Sequence, residues 1–380
     1  MKEPPFVPPW QGGKRGRINT YDRDAVYPYL CIIEPAWIWH TLPVAGTMQA
    51  PVAGSPIGVL AVAGQQCAIG VDLGGQSVKL AVVDTEGTIL LHRKAAVDAS
   101  HNECEIRWLV LGEINAVRRE ATAKGLLPDC AGMVMPGYLD RDRTRVIFAA
   151  NLPTLNGTDF LAGIRDALEL PIVFDADSNA AAFGEYRFGA GQDVDRLLVA
   201  VVGTGIGAGV VIGGQVLRIW HHIAGSLGHV IVDARGPKCA CGARGCVEAL
   251  ASGPALERRA AEAAKAHPDS RLAAQARQAG RLTGVEIGAA LRQHDSATLQ
   301  VVRETGWWLG AGIAAWSVIF RPDKVLIGGG VAALGEPLLE AVRQGLAEVG
   351  QPAATKDLII EPAALGPDAG VIGAAALAMG

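Results

Sequence analysis

Aromatic side chains are scarce in this chain: Phe, Trp and Tyr make up 5% of its 380 residues. Net charge is nearly absent, at −4, and no apolar run reaches the length of a membrane-spanning helix. The first residues, MKEPPFVPPW, hold no apolar stretch of the kind a secretory leader carries. Each shortage excludes something. Balanced charge argues against a nucleic-acid surface read by charge. The lack of a long apolar run argues against a membrane partner. Four of the seven cysteines, Cys31, Cys67, Cys104 and Cys130, stand alone. They are expected to be buried free thiols in a reducing compartment, which places the protein in the cytoplasm. What is abundant is apolar and small: half the residues are hydrophobic and 48 are glycine. That composition suits an α/β enzyme with close helix–sheet contacts, large enough for about two domains.

The other three cysteines are the chain's most specific feature. Cys239, Cys241 and Cys246 form a C-x-C-x4-C array, with His229 ten residues upstream. Three thiolates and an imidazole suit a tetrahedral structural zinc, and Gly242 and Gly245 leave the backbone free to turn between them. Two of the thiols paired as a disulfide, with one left over, is the alternative. Glu248 follows the last cysteine, where the pattern becomes helical (VEALASGPALERRAAEAA). The knuckle would then be either a structural staple alone or one that also holds Glu248 and His229 beside a ligand site.

Residues 1–65 are rich in proline and aromatics and read as an arm on the main body, a disordered extension or an upstream-start artefact. From about Gln66 the chain alternates strands, glycine turns and helices. Apolar runs Ala68–Val71 and Leu80–Val83 flank Asp72-Leu73-Gly74-Gly75. An Asp at a strand end, followed by glycines, can reach a metal ion while the backbone approaches phosphate, and Lys79 adds positive charge. A plain glycine hairpin explains the same residues. Helices are expected at Glu103–Lys124 and Phe160–Leu168, with a strand at Ala131–Met135 running into Pro136-Gly137. Strand Pro171–Phe174 leads to a helix starting at Ser178 or Asn179. Asp177 stands at that junction, either as an N-cap or aimed into the crevice above the sheet. Strand Leu197–Val202, the run Gly203-Thr204-Gly205-Ile206-Gly207-Ala208-Gly209 and strand Val210–Ile212 repeat the first hairpin about 130 residues later. The pair implies a duplicated α/β module with phosphate between the copies. Helices Pro254–Ala266, Ser270–Gln278, Gly284–Gln293 and Ser296–Phe320 follow. The last carries Trp307, Trp308 and Trp316, for the core or a subunit contact. Strand Lys324–Ile327 then ends in Gly328-Gly329-Gly330, ahead of helix Pro337–Val349. Strand Leu358–Ile360 and helix Asp368–Met379 close the chain.

From residue 66 onward the chain resembles the ROK family of sugar kinases, in the actin-like ATPase superfamily. The resemblance rests on six pieces in order: D-L-G-G-x3-K at Asp72 to Lys79, Pro136-Gly137, D-x-N-A-A-A-x-G-E at Asp177 to Glu185, G-T-G-I-G-x-G at Gly203 to Gly209, the knuckle, and I-G-G-G-V at Ile327 to Val331. It implies a two-lobed α/β fold of the actin-like, ribonuclease H-like kind. The small lobe would be residues 66–186 joined by a C-terminal helix, 366–380, and the large lobe 187–365 with the zinc knuckle. It also implies ATP and Mg2+ as cofactors, structural Zn2+, a sugar as substrate, and a homodimer or homotetramer. Asp177 would be the general base toward a sugar hydroxyl, and Asp72 would organise Mg2+. Gly74, Gly75, Gly203, Thr204, Gly205 and Gly207 would hold phosphates with Lys79, and Gly328, Gly329 and Gly330 would lie by the adenosine. Gly137, Asn151, His229 and Glu248 would meet the sugar, His229 being a zinc ligand as well.

Four positions depart from the family pattern. Ala176 stands where Asn is usual before the catalytic Asp, and Ser226 where a sugar-binding Glu is expected. Gln76 replaces Thr, and Ile219-Trp220-His221-His222 replaces a small, glycine-containing stretch. Losing a buried polar contact costs about 1–3 kcal/mol. The expected activity is that of a glucokinase-like hexose kinase acting on a sugar other than plain glucose, such as an amino sugar, another hexose or a polyol; a non-catalytic sugar- or nucleotide-binding relative is the alternative. A repressor would need an N-terminal DNA-binding helix pair, and residues 1–65 show no such pattern.

Overall fold

A computed structural model of the chain describes residues 66–219 and 226–380. The N-terminal segment 1–65 and residues 220–225, which include Trp220, His221 and His222, lie outside the described residues.

Two five-stranded sheets of the same design form the frame. In the first, β1 (Cys67–Leu73) pairs antiparallel with β2 (Ser77–Asp84), and β2 with β3 (Ile89–Ala96). On its other side β1 runs parallel to β4 (Cys130–Met135), and β4 parallel to β7 (Ile172–Ala176). In the second, β8 (Arg196–Val202) pairs antiparallel with β9 (Ile206–Ile212), and β9 with β10 (Gln215–Val216). Strand β8 then runs parallel to β11 (Lys324–Gly328), and β11 to β12 (Ile359–Pro362). The orders β3-β2-β1-β4-β7 and β10-β9-β8-β11-β12 superpose in logic: hairpin first, then parallel crossovers. The duplicated module expected from the two glycine hairpins is present. A small hairpin, β5 (Tyr138–Leu139) with β6 (Val146–Phe148), has no counterpart in the second module among the described residues.

Strands β1 and β4 are buried on both faces, which is why they read as continuous apolar runs. Helices α1 (Glu103–Ala123) and α2 (Phe160–Ala167) cover one face. An asparagine capping box at Asn102 and Glu105 starts α1. On the other face lie α3 (Asp177–Phe188) and the C-terminal α11 (Ala369–Met379). A Cβ at Gly132 would collide with the Ala374 carbonyl, and one at Gly373 with the Ala180 carbonyl. Small residues on β4, α3 and α11 thus bring backbones together, which accounts for the alanine- and glycine-rich composition.

The second sheet packs on helices α4 (Val247–Ala251), α5 (Gly253–Ala266), α8 (Ser296–Phe320) and α9 (Glu336–Val349), with α6 (Arg271–Ala279) and α7 (Gly284–Arg292) outside them. A short α10 (Pro352–Thr355) precedes β12. Trp316 is wholly buried in this core and donates to the Leu227 carbonyl, whereas the Trp307 indole donates outward to Glu348. The helix expected at Pro254–Ala266 is α5, capped at Ser252, and the helical pattern just after Cys246 is a separate short helix, α4, that ends before it. Of the isolated cysteines, Cys67 is buried, Cys130 half-buried and Cys104 exposed on α1, so burial is not common to all of them.

Candidate functional site

The carboxyl ends of β1, β4, β7, β8 and β11 open into one cleft of about 510 Å³. This is the crevice in which open α/β sheets hold ligands. Its lining includes Asp72, Gly137, Asn151, Asp177, Gly203, Thr204, Gly205, Gly207, His229, Glu248, Gly328 and Gly329. The other nominated residues are not part of that lining. Gly75 lies against Asn151, where a Cβ would sit 2.6 Å from its carbonyl oxygen. Lys79, the β2 partner of Asp72, donates to the Pro367 carbonyl at 2.6 Å. Gly74 turns the β1–β2 hairpin, its N–H bonded to Ser77. Gly330 begins a 3-10 turn, 330–334, which intervenes before α9.

Asp177 is the first residue of α3, and Ala176 is the N-cap, with no side chain to offer. Capping therefore does not explain Asp177. Its carboxylate accepts from the Ser178 N–H at 2.6 Å, and desolvation raises its pKa against that bond. Asp72 faces it from β1. Burial, then the Asp177 charge, lift the Asp72 carboxyl to about 6; Lys79 opposes this and Asp368 adds to it. The N-terminus of α11 closes on the same carboxylate, a Cβ at Gly370 falling 2.8 Å from Asp72 Oδ2. Two desolvated carboxylates facing one cleft are a ready place for a divalent cation.

The second glycine turn is shorter than the sequence suggested. Only Gly203–Gly205 turns; Gly207 and Gly209 already lie in β9, opposite Val201 and Val199. A side chain at Gly209 would collide with the Ser178 carbonyl, so this glycine makes room for α3. Glu248 reaches across to the turn, accepting from the Ile206 N–H at 3.0 Å. At Gly329 the backbone is left-handed, with φ 84°, and a Cβ would strike the Val202 carbonyl, so glycine is required there.

Behind Glu248 sits the knuckle. The ligand atoms of His229, Cys239, Cys241 and Cys246 all lie within 4.8 Å of one another. Cys239 Sγ is 3.6 Å from His229 Nδ1, and Cys241 Sγ 3.7 Å from Cys246 Sγ. A tetrahedral zinc, about 2.3 Å from sulfur and about 2.0 Å from nitrogen, spaces its ligands by about 3.5–3.8 Å. The donor set fits that ion. A sulfur–sulfur bond is about 2.05 Å, and every cysteine among the described residues is free, so the disulfide alternative fails. Burial, then the neighbouring thiols, push Cys246 up to about 12, a strain a bound cation would relieve. Glu248 Oε1 is 3.8 Å from His229 Nδ1, which ties the knuckle to the cleft wall.

Three features were missed by sequence reasoning. Tyr138 spans the cleft to hydrogen-bond Ser226, 88 residues away. Buried Asp175 accepts from Arg218 Nε and Nη2 at 2.8 and 2.6 Å, and from Asn179 and the Ala176 N–H. Glu185, fully buried, accepts from the Ala190, Ala364 and Leu365 N–H groups.

Paired sheets of this topology, meeting at a cleft lined by glycine turns and carboxylates, define an α/β protein of the actin-like ATPase fold. The ROK family profile matches residues 68–380, and the chain belongs to that family. It is 34% identical over 318 residues to the glucokinase of Streptomyces coelicolor, covering 82% of this chain and 96% of the relative. A solved ROK glucokinase from Streptomyces griseus, in complex with glucose and AMPPNP, aligns with TM-score 0.70 at 34% identity, over 82% of this chain and 99% of that one. The xylose repressor of Bacillus spizizenii is 25% identical over 80% of this chain and 75% of its own. Among the described residues no helix is long and apolar enough to cross a membrane.

Proposed function

We propose that the chain is an ATP-dependent sugar kinase in which Asp177 is the general base. The observation that carries this reading is the desolvated Asp177 carboxylate on the cleft floor, with the Gly203–Gly205 turn among the facing residues. A raised pKa makes a carboxylate a better proton acceptor, and phosphoryl transfer otherwise needs positioning and charge neutralisation. Asp72 would hold Mg2+, which when bound neutralises triphosphate charge. Lys79, the β2 partner of Asp72, would add positive charge near the phosphates, and the Gly203–Gly205 turn would offer backbone N–H groups there. Gly328 and Gly329 leave flat backbone for the adenosine. His229, carried by the knuckle, and Glu248 beside it would hydrogen-bond sugar hydroxyls together with Asn151 and Gly137. The two lobes would be residues 66–186 with 366–380, and residues 187–365, acting in a homodimer or homotetramer.

Coupled ADP release with MgATP over a panel of hexoses, amino sugars and polyols tests this directly. At least one sugar is expected to turn over, and Asp177→Asn to lower kcat by about 100-fold or more while sugar still binds. Ala176, Ser226 and Gln76 favour a second reading, a non-catalytic binding protein. Sugar binding without ADP release from any member of the panel would establish that reading instead.

A further inference from the structure

Resting on the kinase reading, we infer that Glu185 is a positioning residue for the nucleotide: its carboxylate pins together the two segments by which the chain passes between the lobes, and so sets the cleft wall beside Gly328 and Gly329.

Under the two-lobe division proposed above, the chain crosses between lobes twice, after α3 and after β12. Glu185 holds both crossings. It lies in the last turn of α3, is fully buried, and belongs to the cleft lining. Its Oε2 accepts from the Ala190 N–H at 3.0 Å, just past α3, and from the Ala364 N–H at 3.1 Å, just past β12. Its Oε1 accepts from the Leu365 N–H at 2.7 Å. A buried carboxylate needs donors in place of lost water. Here all three are main-chain groups, so the side chain fixes backbone. The surroundings are cut to fit it: a Cβ at Gly189 would collide with Glu185 Oε2. Lys324 ties the same two segments again, donating to the Ala190 carbonyl at 2.8 Å and pairing with Glu361 at 3.0 Å.

The second crossing carries part of the site. Ala363, Gly366, Pro367, Ala369 and Gly370 all line the cleft. The Ala363 N–H donates to the Ile327 carbonyl at 3.0 Å, one residue before Gly328. The Pro367 carbonyl receives Lys79, and Gly370 closes on Asp72. A shift of this segment therefore moves the wall assigned to the adenosine and the surroundings of Asp72 together. A misplacement of about 1 Å, begun far from the chemistry, can cost about 100-fold. The residues assigned to the sugar, Gly137, Asn151, His229 and Glu248, are carried by other segments. The clamp acts on nucleotide affinity and leaves sugar affinity nearly alone.

Glu185→Gln keeps the size of the side chain but turns one acceptor into an NH2 donor facing main-chain N–H groups, so at least one crossing is released. Dissociation constants should be measured by calorimetry for MgAMPPNP, a non-hydrolysed ATP analogue, and for the tightest-binding sugar of the panel. The MgAMPPNP constant is expected to rise by about 10-fold or more and the sugar constant to stay within about threefold, with KM for ATP rising more than kcat falls. Thermal melting checks that the variant is folded. A carboxylate that served the fold alone would lower the melting temperature and leave both constants unmoved, which would overturn the inference, as would equal losses for sugar and nucleotide. Should the variant not fold, amide exchange in the parent decides: MgAMPPNP should slow the Ala190, Ala364 and Leu365 N–H groups by about 10-fold or more, and sugar alone should not. Rates indifferent to MgAMPPNP sink the inference. Nucleotide affinity that follows the variant, with no ADP released from any sugar, upholds Glu185 and removes the kinase reading alone. Turnover in the parent with unmoved constants in the variant removes Glu185 alone, and a parent that binds no MgAMPPNP removes both.

Discussion

Asp72 carries the cost of building the site. A carboxyl lifted to about 6 in the folded chain binds a proton that the unfolded chain, near 3.8, has already released. Between those values the native state holds more protons, so stability falls as pH rises from about 4 to about 6 and stays low above it. Asp177 shifts in the same direction, by desolvation. The Asp72→Asn protein should therefore melt higher than the parent at pH 7.5 in Mg2+-free buffer, by on the order of 1–2 kcal/mol after screening by solvent at the cleft. Near pH 4.5 the gap should shrink to about a third of that. Calorimetric melting at both pH values checks this, and equal melting temperatures at pH 7.5 would remove the electrostatic account. At this scale the site was partly legible. Asp72 and Asp177 announce themselves by standing at strand ends, a position local sequence reveals. Gly207 and Gly209 do not: glycine in a turn and glycine in a strand that must admit a helix look alike until α3 is placed.

Among the elements, the knuckle was the most legible, because its four ligands fall within 18 residues and spacing alone brings them together. Its consequence for the cleft was visible only in the fold, where Glu248 on α4 reaches the Ile206 N–H on β9. The helix break at Ser252 has the same origin. The Gly253 N–H donates to the Gly203 carbonyl at 2.8 Å, so the second glycine turn also dictates where α4 ends. Cys241 is the exposed member of the donor set, and its replacement removes little packing. Cys241→Ser is thus expected to lower zinc retention by about 100-fold or more while leaving both sheets folded. Metal analysis after dialysis, paired with limited proteolysis, should find about one zinc per parent chain, and a variant without zinc that is cut between residues 236 and 245. A variant as protease-resistant as the parent would mean that the knuckle is held by packing instead.

For the whole molecule the question is what makes two sheets one body, and nothing in local sequence answers it. The duplication was readable from the repeated hairpins; the joints between the copies were not, because their partners are distant in the chain. Asp175 on β7 and Arg218 beyond β10 are 43 residues apart, and only the fold brings them together. Asp175 is buried, and Arg218 gives it two hydrogen bonds, with the Arg143 guanidinium 3.6 Å away. A paired charge of this kind adds little over an apolar pair, but removing one partner strands the other at a cost of about 3–5 kcal/mol. Arg143 would recover part of that by moving closer, so Arg218→Met should destabilise the chain by about 2–4 kcal/mol. The double variant Asp175→Asn with Arg218→Met, which no longer strands a charge, should regain at least half of the loss. Because Asp175 lies two residues before Asp177, the single variant should also weaken sugar binding, and the double variant should restore it in step with stability. Urea unfolding of the four proteins gives the coupling energy directly. Additive single losses would show that the pair is not a joint between the sheets and that the packing of α3 and α11 against them holds them without it.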